Sequence, residues 1–335
     1  MGKAHLNQVI ASHFVEIKAN ETPGKPIFIF EKGNFGEDVV TYQELHEKSN
    51  KIARWFVEQG IGKGDHFAIY MRNHPEFIYA LLGGIVVGAI AVPVDPRYKG
   101  DRLKFIINHS TAKAVLCSGE CLADLEEIAN ELPQVKTVIV SYYPEQEISP
   151  SPKYETLNEI LEQDTWETVD QQIMDVRHPM QIIYTSGTTG DPKGVLIRNN
   201  RTGLYSILTQ IVWQYKPHDI LYSGLSFSHG NAQAVTLFPA LYSGTKAVFS
   251  QRFTKSRIWD ICRKYGCTSF SLLGGMMAAI YNEPPRPDDG DNPVKTVISA
   301  GTPKAIWESF EERFNVQILE WYGSVEGGFA YKPPG

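Results

Sequence analysis

Cysteine is scarce in this sequence, with four residues in a chain of 335. No two of them form a CxxC pair, and no cluster of histidine and cysteine has the spacing of a zinc site. The sequence therefore predicts neither a disulfide framework nor a structural zinc site. Cys117, Cys121, Cys262 and Cys267 are predicted to be buried or incidental thiols in a reducing compartment.

An excess of basic residues is also missing, since 32 Lys and Arg stand against 38 Asp and Glu and give a net charge of −6. A nucleic-acid-binding protein usually carries a basic face, so this class of function is disfavoured. The first residues lack the apolar core of a signal peptide, and a cytoplasmic location is the default expectation. There is no internal repeat, and the length predicts two lobes or subdomains.

A membrane span is not predicted, although residues 77–94 contain no charged side chain. Three glycines (Gly83, Gly84, Gly88) and Pro93 interrupt this run. We expect a buried helix over residues 76–87 and then a strand over 89–94, because the run is too broken for a single spanning helix.

Helical and strand patterns alternate along the first half of the chain. Thr41 has the position of an N-cap before a helix with one apolar face, and strands are predicted at 66–71, 114–117 and 136–140. Such alternation predicts an α/β fold with a mostly parallel, doubly wound sheet. Residues further along are predicted to form a surface connection over 141–179 and a long helix over 200–213.

The most informative stretch is Tyr184-Thr-Ser-Gly-Thr-Thr-Gly-Asp-Pro-Lys-Gly194, which follows a short apolar strand. Glycines allow the backbone to approach an anion, while hydroxyls, backbone N–H groups and a lysine supply donors and charge. The stretch therefore predicts a loop that wraps a polyphosphate. The alternative is a plain polar turn. The stretch is not a Walker A loop, because it lacks Gly-Lys-[Ser/Thr] at the required spacing.

These eleven residues resemble the phosphate loop of the adenylate-forming superfamily of acyl-CoA synthetases, luciferases and peptide-synthetase adenylation domains. Other landmarks of that family occur in the same order, including Thr41-Tyr-Gln-Glu-Leu45, Asn73-His-Pro-Glu-Phe77 and Gly88-Ala-Ile-Ala-Val-Pro-Val94. The resemblance covers essentially the whole chain. It is closest to acyl-CoA synthetases, such as crotonobetaine/carnitine-CoA ligases or other ligases of short or medium acids.

The resemblance implies the large N-terminal domain of that fold, with two stacked αβ subdomains and mostly parallel sheets. We place them at residues 1–175 and 176–335, with the phosphate loop and the adenine motifs in the second. The family's ribose-binding aspartate, hinge and small C-terminal lid domain would lie beyond Gly335.

The resemblance also implies ATP, Mg²⁺ and CoA, and it assigns roles to residues. Lys193, Glu326 and His229 are the implied catalytic residues, and Glu326 is the implied Mg²⁺ ligand, as a carboxylate suits that ion. The implied phosphate contacts are Thr185, Ser186, Gly187, Thr188, Thr189, Gly190 and Lys193. The implied adenine contacts are Ala300, Gly301, Thr302, Trp321, Tyr322, Gly323, Ser324 and Val325.

The carboxylic acid is the substrate that the resemblance leaves open. The implied acyl-binding residues are His229, Gly230, Asn231, Leu273, Gly274, Gly275 and Trp321. Trp321 stands where members that take long acids have glycine, so we expect a short, branched or compact cyclic acid. The alternative is that Trp321 only packs in the core. Ser228 replaces the aspartate that amino-acid-activating members carry, so an amino acid is disfavoured.

Two other functions remain open. Val325 replaces the family's usual threonine, and a lost phosphate donor could cost roughly 1.5–3 kcal/mol. One alternative function is therefore that of a truncated, catalytically silent nucleotide- and acid-binding module. The resemblance places the acid–thiol ligase activity in the full-length parent, and we expect the 335-residue chain by itself to be weakly active or inactive. The other alternative is an adenylation domain that loads a carrier protein. The expected partners are a carboxylic acid, ATP and CoA, without nucleic acid or a membrane span, and a homodimer is left open.

Overall fold

The computed structural model of the chain describes residues 9–185 and 190–332. It divides into two compact units, one of Met1–Lys25 with Val40–Gly203 and one of Pro26–Val39 with Leu204–Gly335. The strands of the described residues are β1 (Pro26–Glu31), β2 (Glu37–Thr41), β3 (His66–Tyr70), β4 (Ile90–Val94), β5 (Ala114–Ser118), β6 (Thr137–Ser141), β7 (Glu155–Thr156), β8 (Pro179–Thr185), β9 (Lys193–Arg198), β10 (Ile220–Ser223), β11 (Lys246–Ser250), β12 (Ser269–Leu273), β13 (Thr296–Ala300), β14 (Gln317–Gly323) and β15 (Phe329–Tyr331).

Helices alternate with these strands through most of both units. The α-helices of the described residues are α1 (Ala11–Glu21), α2 (Tyr42–Glu58), α3 (Pro75–Val87), α4 (Gly100–His109), α5 (Gly119–Ile128), α6 (Leu157–Leu161), α7 (Asn199–Leu208), α8 (Phe238–Ser243), α9 (Ile258–Tyr265), α10 (Gly274–Tyr281) and α11 (Trp307–Phe314). Two short π-helices, Thr209–Trp213 and Ala232–Leu237, lie in the second unit.

Each unit contains one open sheet. The sheet of the first unit has the order β7-β6-β5-β3-β4-β8-β9, and that of the second has the order β15-β14-β13-β12-β10-β11-β1-β2. Neighbouring strands are parallel in most pairs, and β8–β9 and β14–β15 are antiparallel. The mixed α/β architecture with two parallel-rich sheets, inferred from the alternating sequence pattern, is confirmed.

The unit boundary differs from the predicted division between residues 175 and 176. β8, the strand before the phosphate loop, pairs with β4 and therefore belongs to the first sheet. In addition, β1 leaves the N-terminal part of the chain and pairs with β11 in the second sheet. The phosphate loop is thus part of the first unit, whereas the adenine motifs are part of the second.

The segment after the phosphate loop contains one strand that was not predicted. β9 returns antiparallel to β8, with Thr185 opposite Lys193, and the helix that follows begins at Asn199, close to the predicted start at residue 200. That helix is α-helical to Leu208 and continues as the π-helix Thr209–Trp213. The predicted surface connection 141–179 contains the short elements β7 and α6.

Local signals placed the helices and strands of the first unit well. Thr41 caps α2 in a capping box, in which its hydroxyl accepts from the Glu44 N–H at 3.2 Å and the Glu44 carboxylate accepts from the Thr41 N–H at 2.9 Å. The apolar run divides into α3 and β4 as predicted. A side chain at Gly83 would lie 2.7 Å from the Ser49 carbonyl oxygen, so α2 and α3 pack this closely only with glycine there. Among the residues that the structure describes, no helix could cross a membrane.

Candidate active site

The carboxyl ends of three parallel strands meet at one edge of the second sheet. Leu273 at the end of β12 lies opposite Ala300 at the end of β13, and Ser299 lies opposite Glu320 of β14. We call this the carboxyl edge of the second sheet. Ligands of α/β proteins bind outside the carboxyl ends of strands. The edge therefore brings together the predicted acyl-binding glycines, the predicted adenine turn and the motif around Tyr322.

Two glycines allow the turns after β12 and β13 to touch. A side chain on Gly274 would overlap the Gly301 carbonyl oxygen and lie 2.7 Å from its carbonyl carbon. Gly301 itself has a φ of +76°, in the left-handed region that favours glycine. A side chain at position 274 would displace the predicted adenine turn, and one at position 301 would strain its backbone.

Glu320 holds this turn in place. Its carboxylate accepts hydrogen bonds from the Gly301 N–H at 3.0 Å and the Thr302 N–H at 3.2 Å, and from the Thr302 hydroxyl. Glu320 is a residue that the sequence analysis missed as a functional candidate. The available signal was a charged residue inside the otherwise apolar run Ile318-Leu-Glu-Trp321, where burial of a carboxylate requires partners.

Trp321 and Tyr322 point to opposite faces of β14, as strand alternation requires. Trp321 is 8% exposed, whereas Tyr322 is 66% exposed. The indole of Trp321 covers Gly323, where an added side chain would lie 3.0 Å from two of its ring carbons. The phenol ring of Tyr322, on the opposite face, is exposed and is therefore accessible to a flat ligand at the carboxyl edge.

Trp321 belongs to an aromatic wall that also contains Trp213 and Phe329. The ring centroids of Trp321 and Trp213 are 5.5 Å apart, and both lie 5.9 Å from Phe329. The two indoles also pack with Val212, Val235, Ile298 and Leu319. Its place in this cluster agrees with the alternative that Trp321 packs in a core. The role of its indole as the end of an acyl pocket stays a prediction.

Glu326 lies in the tight turn between β14 and β15. The Ser324 hydroxyl donates to its carboxylate, and the Glu326 N–H donates back to the Ser324 oxygen at 3.2 Å. The Glu326 side chain is exposed. The described residues contain no group of three or more His, Cys, Asp or Glu arranged around a metal ion. A single exposed carboxylate nevertheless fits Mg²⁺, which proteins often hold through one or two carboxylates together with substrate phosphates.

The segment around His229 lies close to the same turn. A side chain on Gly230 would contact the Val325 methyl carbon at 3.2 Å. The exposed His229 ring accepts a hydrogen bond at Nδ1 from the Asn231 N–H at 3.2 Å, so the neutral imidazole carries its proton on Nε2. Asn231 is 4% exposed, and neither atom of its amide group has a hydrogen-bond partner among the described residues.

The base of the phosphate loop lies in the first unit. Tyr184 lies opposite Gly194, where a side chain would lie 3.2 Å from the tyrosine ring. The Tyr184 hydroxyl forms a hydrogen bond with Nδ1 of His109 at 2.8 Å, and burial raises the pKa of Tyr184 to about 12, so the phenol is uncharged near neutral pH. Lys193 is exposed. The sequence analysis missed His109, which no local pattern connects with a loop 75 residues away.

The predicted site residues therefore fall into two described groups. The second unit brings together the residues around Gly274, Gly301, Tyr322 and Glu326 with the segment of His229. The first unit contains Thr185, Gly190 and Lys193. The remaining predicted phosphate contacts, Ser186, Gly187, Thr188 and Thr189, lie outside the described residues.

Comparison with known proteins identifies the family to which the chain belongs. The model of a family described as "AMP-binding enzyme" matches residues 15–332, nearly the whole chain. The chain belongs to this family. The resemblance inferred from the phosphate loop is thereby confirmed.

Curated relatives of this AMP-binding chain are longer proteins. It is 27% identical over 319 residues to "Long-chain fatty acid transport protein 2" of Rattus norvegicus, covering 94% of the chain and 50% of the relative. It is 30% identical over 294 residues to "Long-chain fatty acid transport protein 1" of Bos taurus, covering 85% and 44%. It is 25% identical over 302 residues to "Medium/long-chain-fatty-acid--CoA ligase FadD6" of Mycobacterium tuberculosis, covering 89% and 48%. The chain thus spans about half the length of these relatives.

Solved structures support the fold. An anthranilate CoA ligase, AuaEII, in complex with anthranoyl-AMP matches with a TM-score of 0.85 at 19% identity, covering 95% of this chain and 60% of that one. A benzoate CoA ligase from Burkholderia xenovorans LB400 matches with a TM-score of 0.82 at 20% identity, covering 95% and 61%. At these identities the likeness concerns the fold alone, which is that of the N-terminal domain of adenylate-forming enzymes.

Proposed function

We propose that the whole protein to which this AMP-binding chain belongs activates a carboxylic acid with ATP, forming an acyl-adenylate and pyrophosphate, and that the acyl group is then transferred to CoA. The observation that carries the proposal is the carboxyl edge of the second sheet. There Glu320 fixes the turn at Gly301, and both the ring of Tyr322 and the carboxylate of Glu326, four residues later, are exposed. The CoA-ligase name of one relative and the CoA-ligase structures that share the fold favour CoA as the acceptor.

The chemistry requires a poor nucleophile, a carboxylate, to meet a polyanion. Catalysis must therefore hold the two in line and offset negative charge at the α-phosphorus. In our proposal the ring of Tyr322 stacks on adenine, and the N–H groups and small residues of the turn at Gly301 border the purine. The exposed ammonium group of Lys193 contributes mobile positive charge to the phosphates.

Glu326 is the residue that would hold Mg²⁺, and the bound ion would offset charge on the phosphate oxygens. The exposed ring of His229 is placed to border the reacting carboxylate. Because Nδ1 accepts from the Asn231 N–H, the neutral ring carries its proton on Nε2, the atom that would donate to the carboxylate in our proposal. Both roles are part of the proposal.

The acid is proposed to be compact, because the Trp321 indole fills the space beside Gly323. A carrier protein as acyl acceptor is a weaker candidate, since Ser228 offers no carboxylate for an α-amino group. The silent-module alternative is favoured by one observation, the apolar Val325 in a turn where a hydroxyl could donate to phosphate.

A single assay separates these functions. The purified protein is mixed with ATP, Mg²⁺ and a panel of carboxylic acids, with and without CoA, and pyrophosphate and thioester are measured. Acid-dependent pyrophosphate with a CoA-dependent thioester supports the proposal. Pyrophosphate without a thioester assigns a different acceptor. ATP binding without pyrophosphate for any acid overturns the proposal in favour of a binding module.

A further inference from the structure

The aromatic wall lies on the opposite face of the second sheet from the larger core cluster of that unit. On β13, Val297 belongs to the larger cluster, whereas Ile298 belongs to the cluster of the aromatic wall. Ile318 and Leu319 of β14 divide between the two clusters in the same way. Successive residues of a strand point to opposite faces, so the two clusters cover opposite sides of one sheet. Ala300, a predicted adenine contact, packs against the cluster of the aromatic wall, which therefore shares its face of the sheet with the candidate active site.

On this face, Trp321 stands between the candidate active site and the rest of the strand. Gly323, Trp321 and Leu319 follow one another along β14 from its carboxyl end inward. The Trp321 ring fills the space beside Gly323, where a side chain would overlap it. The π-helix that directly follows the segment of His229 contributes Val235 to the same cluster. An acyl chain that enters this face at the carboxyl edge therefore meets the Trp321 ring first.

Trp213 forms a second layer next to Trp321. The two ring centroids are 5.5 Å apart and the ring planes are inclined by 74°, an edge-to-face contact between two buried side chains. Trp213, unlike Trp321, also lines an open cavity of about 230 Å³, together with Val212, Leu319 and residues at the starts of β10, β12 and β13. These strands are parallel, so the cavity lies at their amino ends, away from the carboxyl edge. We call it the amino-edge cavity.

Both indoles contribute to the fold through packing alone, because neither indole N–H forms a hydrogen bond within the described parts of the chain. We propose that Trp213 is a second specificity-determining residue, which limits the length of the acid together with Trp321. The two rings block a passage for acyl chains along this face of the sheet, between the candidate active site and the amino-edge cavity. The inference rests on the proposed function, since it concerns the acid that is activated there.

The two layers act in series. Each methylene that an acyl chain buries against apolar side chains raises its affinity about fourfold, until the chain meets a ring that is held in a close-packed cluster. With both indoles present, the chain stops at Trp321. Without the Trp321 indole it extends by the space of one ring and stops at Trp213. Without both indoles it reaches the amino-edge cavity.

The test measures how tightly the 335-residue chain binds unreactive analogues of an acyl-adenylate. Acyl sulfamoyladenosines with acetyl, hexanoyl, decanoyl and tetradecanoyl chains are titrated by calorimetry, with AMP as the reference for the nucleotide part. Trp213→Leu alone should keep the parental profile of affinity against chain length, because Trp321 still closes the passage. Trp321→Gly should move the profile to longer chains. The double variant should bind the tetradecanoyl analogue at least tenfold more tightly than Trp321→Gly does, since two further buried methylenes already exceed this gain.

A matched control separates the passage from a general loosening of the fold. Trp259 is also 6% exposed but packs against Phe270 and Phe314 in the larger core cluster. Trp259→Leu, added to Trp321→Gly, should therefore leave the profile of Trp321→Gly unchanged. If the double variant with Trp213→Leu does not fold, Trp213→Phe in its place keeps more of the packing and should give a smaller gain in the same direction.

The possible results distinguish this inference from the proposed function. Equal profiles of Trp321→Gly and the double variant, an equal gain from Trp259→Leu, or tight binding of the tetradecanoyl analogue by the parent would overturn the role of Trp213 while the nucleotide site stands. Failure of AMP and of every analogue to bind would contradict the proposed function itself, and the inference would fall with it.

Discussion

Replacement of Glu320 by alanine should weaken nucleotide binding indirectly. In our account Glu320 does not touch the nucleotide but holds the turn that does. The variant loses the acceptor for the Gly301 N–H, the Thr302 N–H and the Thr302 hydroxyl. Fixing the backbone of one residue costs about 1–2 kcal/mol. If nucleotide binding must order both Gly301 and Thr302 in the variant, the binding free energy becomes less favourable by up to about 2–4 kcal/mol. Even a third of the upper value raises the Kd for ATP about tenfold.

The variant should also lower the free energy of unfolding by about 1–2 kcal/mol, because hydrogen bonds to a charged group are lost at a half-exposed site where water can replace them in part. Glu320→Gln keeps one acceptor oxygen and should fall between the parent and Glu320→Ala. Glu312→Ala, on an exposed position of α11, is the matched control and should resemble the parent. The assays are calorimetric titration with ATP and urea unfolding. An unchanged ATP affinity in Glu320→Ala would refute the positioning role.

Five further substitutions test other parts of the site. Glu326→Ala should lose adenylation and recover part of it at high Mg²⁺, whereas Lys193→Ala should not recover, as a rate series against Mg²⁺ would show. Gly274→Ala should cost about 1–3 kcal/mol of unfolding free energy by overlap with the neighbouring turn and should raise the KM for ATP, measured by urea unfolding and steady-state kinetics. Tyr184→Phe, which removes a hydrogen bond at the loop base, should cost about 0.5–1.5 kcal/mol of unfolding free energy and raise the KM for ATP more than it lowers kcat. Trp321→Gly should move the best kcat/KM toward longer acids, and an unchanged chain-length profile would count against the compact-acid proposal.

Much of the first unit could be predicted because its signals are local. The capping box at Thr41 and the glycines that divide residues 77–94 act within one or two turns, so periodicity and capping placed α2, α3 and β4. The phosphate loop was recognisable for the same reason, since its glycines, hydroxyls and lysine are contiguous.

The features that could not be predicted from the sequence depend on contacts between residues that are far apart in the chain. β1 joins β11, more than 200 residues away, and β9 returns along β8, so both the unit boundary and the hairpin depend on strand partners that no local pattern encodes. His109 and Glu320 act through partners distant in sequence, the Tyr184 hydroxyl and the turn at Gly301. Neither residue belongs to a local motif, so their roles become visible only when the folded chain brings these partners together.

The exchange of labelled pyrophosphate into ATP tests the central claim most directly, because it requires reversible formation of an acyl-adenylate at the carboxyl edge. We expect exchange that depends on a compact carboxylic acid, that does not require CoA, and that is lost in Glu326→Ala and reduced in Glu320→Ala. Exchange that is absent for every acid while ATP still binds, or that persists at the parental rate in both variants, would contradict the account.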